Sequence, residues 1–117
     1  MEKLQIGQTF ETNKVIFKLI QQQTKFPISI GLKLYKIAKI FDEIEEYVFN
    51  IMDMTFENFN IMEMTDEQKI LFDKIMSEEI EVEIDKVPLS CFENNEKVML
   101  TIDEIDKLSI ILKENTQ

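Results

Sequence analysis

Histidine, arginine and tryptophan are missing from this 117-residue chain, and glycine, proline and cysteine are nearly so, with Gly 2, Pro 2 and Cys 1. Without histidine there is no imidazole base, no Ser-His or Cys-His nucleophile and no ordinary zinc site. Without arginine there is no bidentate clamp for phosphate. A lone Cys91 cannot form an intrachain disulfide, and Ser90, Phe92 and Glu93 offer no cation to stabilise a thiolate, so it reads as a small structural residue. The scarcity of glycine and proline excludes collagen-like, low-complexity and many-turned all-β designs. No motif supports a catalytic lysine or carboxylate. The composition therefore describes a non-enzymatic chain with no cofactor and no metal.

Long apolar runs are also absent. No stretch approaches the ~20 apolar residues needed to span a bilayer. The first twenty residues carry Gln5, Gln8, Thr9 and Asn13 and lack the continuous core of a signal peptide. A soluble protein is expected, with no membrane partner, in a reducing compartment or in a particle assembled there.

What is present suits one domain spanning residues 1–117, with 44% hydrophobic and 31% charged residues. All 13 basic residues are lysines, and the net charge of −10 is unevenly spread. Residues 1–40 carry +5 and residues 41–117 carry −15. Direct nucleic-acid binding is disfavoured, because counterion release requires a basic face. A bipolar layout suits homo-oligomers packed head to tail or docking on a protein of mixed charge. It equally suits a basic part that folds back on the acidic part of its own chain.

Apolar periodicity predicts mainly helix. Val15, Ile16, Leu19 and Ile20 place a first helix over Glu11–Gln22, with Thr12 or Asn13 as its cap, and Pro27 breaks it. Ile30, Leu34, Ile37, Phe41, Ile44, Val48 and Ile51 step by alternating fours and threes, a heptad seam on a long second helix capped by Ser29. The charges on this helix run against its dipole: Lys33, Lys36 and Lys39 come first, Asp42, Glu43, Glu45 and Glu46 after. Either they sit too far from the ends to feel the dipole, or they face partners outside the helix. Thr65 to Gln68 is a capping box that opens a third helix, which a linker over Asp53–Met64 allows to return antiparallel against the second. Ile80, Val82 and Ile84 alternate with acids, the pattern of a half-buried strand. Asn94-Asn95 reads as a turn, and Lys97–Thr101 as the pairing strand. Thr101 to Glu104 is another capping box, opening a last helix. The resulting class is α+β, mainly α: a long antiparallel helical hairpin with flanking helices and a small two-stranded antiparallel ribbon.

Three groups of residues are candidates for partner binding. Tyr35 projects away from the heptad seam beside Lys36 and Lys39. The linker holds Met54, Phe56, Phe59 and Met62, adaptable side chains that form either a docking tip or satellite core. Glu79, Glu81, Glu83 and Asp85 put four carboxylates along one strand face, to meet a basic partner or to keep an exposed edge soluble. The Asp103, Glu104 and Asp106 group reads as charge at a helix N-terminus, since it lacks the spacing of a calcium loop.

Five pieces of the chain together resemble a group of small phage and prophage proteins of unassigned activity. They are Lys25-Phe26-Pro27-Ile28, Leu34-Tyr35-Lys36-Ile37-Ala38-Lys39-Ile40, Glu45-Glu46-Tyr47, Glu79-Ile80-Glu81-Val82-Glu83-Ile84 and Leu100-Thr101-Ile102-Asp103-Glu104-Ile105. The Met- and Phe-rich linker departs from the polar, Gly-containing loop of that group. The resemblance implies a phage-encoded protein that acts through protein contacts, in the host cytoplasm or within the virion. Its partner would be a phage structural protein, if the chain is a virion component or assembly factor. It would be a host protein, of defence or nucleic-acid processing, if the chain is an acidic inhibitor.

Overall fold

A computed structural model describes residues 1–93, 95 and 98–114. The elements run β1 (Glu2–Gln5), α1 (Ile6–Gln21), α2 (Ile28–Thr55), α3 (Asp66–Met76), β2 (Glu79–Val82), β3 (Val87–Pro88), α4 (Ser90–Glu93), α5 (Ile102–Leu108), a 3-10 turn (Ser109–Ile111) and β4 (Leu112–Lys113). The class is the expected one, α+β and mainly α.

The long helix is α2, which at 1.5 Å per residue extends roughly 42 Å, most of the 50 Å long axis of the molecule. Its N-cap is Pro27, not Ser29. The Pro27 carbonyl accepts from the Ile30 and Gly31 amides, and an extended proline followed by a helical turn serves where a cap side chain was expected. The seam is buried at Ile30, Leu34, Ile37, Phe41 and Val48, whereas Ile44 and Ile51 are only half-buried. Met52, fully buried, takes the inner position beside Ile51. A straight α-helix drifts about 20° per heptad, so over this length the inward face slips by one residue.

The hairpin partner of α2 is α1, not the third helix expected to return along it: packing along most of α2 comes from α1, which runs antiparallel to it. Phe10 meets Phe49, Asn13 meets Asp42, and Leu19 shares a cluster with Ile30 and Leu34. The turn between them closes with the Thr24 amide donating to the Leu19 carbonyl and Gln23 to Ile20. Gln23 adopts φ 55°, the left-handed position usually given to glycine. The third helix covers only the C-terminal end of this pair, placing Ile75 with Ile6, Phe10, Val48 and Met52. Its capping box forms as expected: the Thr65 amide donates to Gln68 Oε1 at 3.0 Å, and the Gln68 amide to Thr65 Oγ1 at 3.2 Å.

The first helix begins five residues before the expected Glu11, and Thr12 and Asn13 lie buried inside it instead of capping it. Gly7, Thr9, Thr12 and Asn13 are weak helix formers, and tertiary bonds override that weakness. Thr12 Oγ1 donates to the Lys107 carbonyl at 2.6 Å, and Asn13 Nδ2 to Asp42 Oδ1 at 2.7 Å.

The ribbon is antiparallel and two-stranded, but its partner strand is not Lys97–Thr101. It is β1, which pairs Glu2 with Val82, Lys3 with Glu81, Leu4 with Ile80 and Gln5 with Glu79. Lys97 and Asn94 lie outside the described residues, and residues 98–101 carry no strand. Leu4 and Val82 point into the main core, so the hydrophobic side of β2 finds its cover from the chain's other end. A second, parallel pair joins Val87-Pro88 to Leu112-Lys113, with the Leu89 amide donating to the Lys113 carbonyl at 3.0 Å. Cys91 is half-buried against the main core, as a structural residue would be.

The two glycines differ in use. A Cβ on Gly7 would press on the Met76 carbonyl at 3.2 Å, so the glycine lets α1 approach the end of α3. A Cβ on Gly31 would meet nothing within 4 Å. Gly31→Ala is therefore expected to stabilise the fold by about 0.5–1 kcal/mol through helix propensity. A urea titration checks this: the midpoint rises with an unchanged slope.

Candidate functional site

The outer surface of α2 is one place where the fold leaves large apolar side chains uncovered, as it also does at Phe17 and Ile20 on α1 and Ile70 on α3. Because the seam turns one side inward, Ile28, Leu32, Tyr35, Tyr47 and Met54 fall on the opposite side and are exposed. Tyr35 and Tyr47 are each 64% exposed. Lys36, Lys39, Glu43 and Glu46 lie between them, also exposed, and among the described residues no ion pair engages any of the four.

Tyr35 also borders an apolar cleft of about 300 Å³ in the crotch of the hairpin, floored by Leu19, Leu34, Phe26 and Gly31. The cleft continues past Ile20 and Ala38 toward Asn13, Asp42 and Glu45. Burial pushes the Glu45 carboxyl above the usual carboxylate range, against the hydrogen bond it receives from Asn13 at 3.4 Å.

The Met- and Phe-rich linker splits in two. Phe59 stacks on Phe49 with ring centroids 6.4 Å apart, and Phe56 joins it against the second cluster. Met54 and Met62 point outward, 86% and 85% exposed. The geometry yields a paired expectation. Phe59→Asp should lower stability by about 2–4 kcal/mol, since it places a charge against Phe49. Met62→Asp should change it by less than about 0.5 kcal/mol. Thermal or urea denaturation followed by circular dichroism separates the two.

The acidic row is shorter than its sequence suggests. Glu79, Glu81, Glu83 and Asp85 are all exposed, but β2 ends at Val82. Lys3 stands directly across the ribbon from Glu81, and Asp85 pairs with Lys33 at 3.6 Å. That pair joins the basic and acidic parts of the chain, as does Lys18 with Glu104 at 2.7 Å. The bond from Lys18 holds the Glu104 carboxyl below the usual range, helped by the Thr101 amide it accepts from in the capping box. Lys107 bridges Asp103 at 2.9 Å and Glu11 at 3.0 Å, which raises its own pKa to about 12 and lowers that of Glu11. The carboxylates Asp103 and Glu104 are thus occupied by a helix terminus and two lysines.

The three candidate groups do not converge on one spot. Tyr35, Lys36 and Lys39 share the outer face of α2 with Met54, while Met62 lies beyond the end of that helix and the carboxylates lie on the ribbon. The sequence reading missed Tyr47, Leu32 and Ile28, although the seam itself places them outside. It also missed the cleft, whose one sequence trace is the pair of small residues Gly31 and Ala38 at a spacing of seven on the side of Tyr35. No helix of the described residues is long and apolar enough to cross a membrane. In comparisons with known proteins, no family model, no curated protein and no solved structure matches the chain. The fold thus defines a class, a helical hairpin closed by a small ribbon with an uncovered outer helix face.

Proposed function

We propose that this is a non-enzymatic, phage-type protein that acts through protein–protein contacts, as a virion component or assembly factor. The observation that supports this most is the exposure of Tyr35, Tyr47, Met54 and Met62 on one long helix and the bend after it. Exposed large apolar and aromatic side chains gathered in this way mark contact surfaces. The phage origin rests on the resemblance of the five quoted segments. The partner is then a phage structural protein, met in the host cytoplasm and carried into the particle.

A second reading, an acidic inhibitor of a host protein, draws on the exposed Glu79, Glu81 and Glu83. One experiment separates the two. Tagged chain is recovered from infected cells and its bound proteins are identified by mass spectrometry, beside a Met54→Asp/Met62→Asp variant and a Glu81→Lys/Glu83→Lys variant. A virion role predicts capture of a capsid or tail protein that the methionine variant loses. Capture of one host enzyme, lost only with the glutamate variant, would overturn the virion role in favour of inhibition. Recovery of neither kind of protein would overturn both.

A further inference from the structure

Four charged residues on the uncovered face of α2 are antisymmetric about one centre. Lys36 and Lys39 stand as far from the centre on one side as Glu46 and Glu43 stand on the other. Tyr35 is matched by Tyr47, and Ile28 by Met54, about the same centre near Phe41. All eight are exposed on the side of the helix away from the core. A two-fold axis beside α2 at that level, perpendicular to it, would lay a second copy of the helix antiparallel on the first. Lys39 would then lie level with the partner's Glu43 near the middle of the contact, and Lys36 level with the partner's Glu46, while Tyr35 and Tyr47 would flank the contact on opposite sides.

We propose that this face binds a second copy of the chain, forming an antiparallel, two-fold symmetric dimer in that register. Two physical reasons converge. A two-fold interface must be complementary to itself, and an antisymmetric charge pattern on a helix meets that condition only when the helices run antiparallel. A parallel pair would set Lys against Lys and Glu against Glu, which costs free energy. The spacing fits as well: Lys36, Lys39, Glu43 and Glu46 step by three, four and three residues, the seam that lets two helices stay in contact over several turns. None of this rests on the phage reading, and its test reads mass, not a captured partner.

The experiment is sedimentation of the full chain over a concentration series at low salt. Wild-type chain is expected to dimerise, and added salt to weaken the dimer, since the pairs are exposed. Lys39→Glu alone, or Glu43→Lys alone, creates two like-charge contacts by symmetry. Each should raise the dimer dissociation constant by roughly 10–100-fold. The double variant Lys39→Glu/Glu43→Lys exchanges the signs and should return it to within about threefold of wild type. Circular dichroism confirms that each variant stays folded. A wild-type chain that remains monomeric at about 300 µM overturns the proposal and leaves the face to a different protein. A dimer indifferent to the single reversals, or one that the double variant fails to restore, overturns it too.

Discussion

Phe41→Ala is expected to lower the stability of the fold by about 3–5 kcal/mol. The ring is 0% exposed and sits in the main core with Ile37, Ile16, Val87 and Ile111. Removing it deletes the transfer energy of a large aromatic group. It also leaves a cavity, because neighbours from four different elements cannot all collapse inward. A domain of this size is stable by about 5–15 kcal/mol in total, so the variant should be marginal at 37 °C. Urea denaturation should show a much lower midpoint with a similar slope. A loss below about 1 kcal/mol would mean that the seam of α2 is not the organising line of the core. Phe41→Leu should recover more than half of the loss, since most of the volume returns.

Leu4→Ala is the second large effect, at about 2–4 kcal/mol. Leu4 is buried between β2 and the hairpin, whereas its neighbours Lys3 and Gln5 face outward. Lys3→Ala, one position away, should therefore change stability by less than about 0.5 kcal/mol. The contrast between adjacent residues tests the pairing of β1 with β2 directly. Equal effects at both positions would mean that residues 2–5 do not lie in this register. Hydrogen exchange of the Ile80 and Val82 amides gives an independent readout, because both should lose protection in Leu4→Ala and keep it in Lys3→Ala.

Helix α2 was legible in the sequence because its seam repeats over many turns, which outweighs charges set against its dipole. The capping boxes at Thr65 and Thr101 were legible because each is a complete local device, needing only four residues to act. The start of α1 was hidden for the opposite reason. Gly7, Thr9 and Thr12 argue against helix, and what overrules them, Lys107 and Met76, lies far along the chain. The ribbon was half legible. The alternation at Ile80 and Val82 announces a strand, but Glu2-Lys3-Leu4-Gln5 has a single apolar residue and no detectable period. Its pairing is fixed by burial of Leu4, a property of the assembled core. The same division runs through the candidate surfaces. The outward placement of Tyr35, Lys36 and Lys39 follows from helical geometry alone. The inward turn of Phe56 and Phe59 depends on Phe49 and Phe10, which only the packed chain brings near.

The ribbon has a consequence for how the molecule comes to be. Its two strands are separated by the whole hairpin and α3, and closing so large a loop is slow compared with forming local helix. During synthesis α1 and α2 can zip together early, while residues 2–5 must wait until residue 82 has left the ribosome. The nascent chain therefore passes through a stage in which the hairpin exists with Leu19, Ile37 and Phe41 only partly roofed.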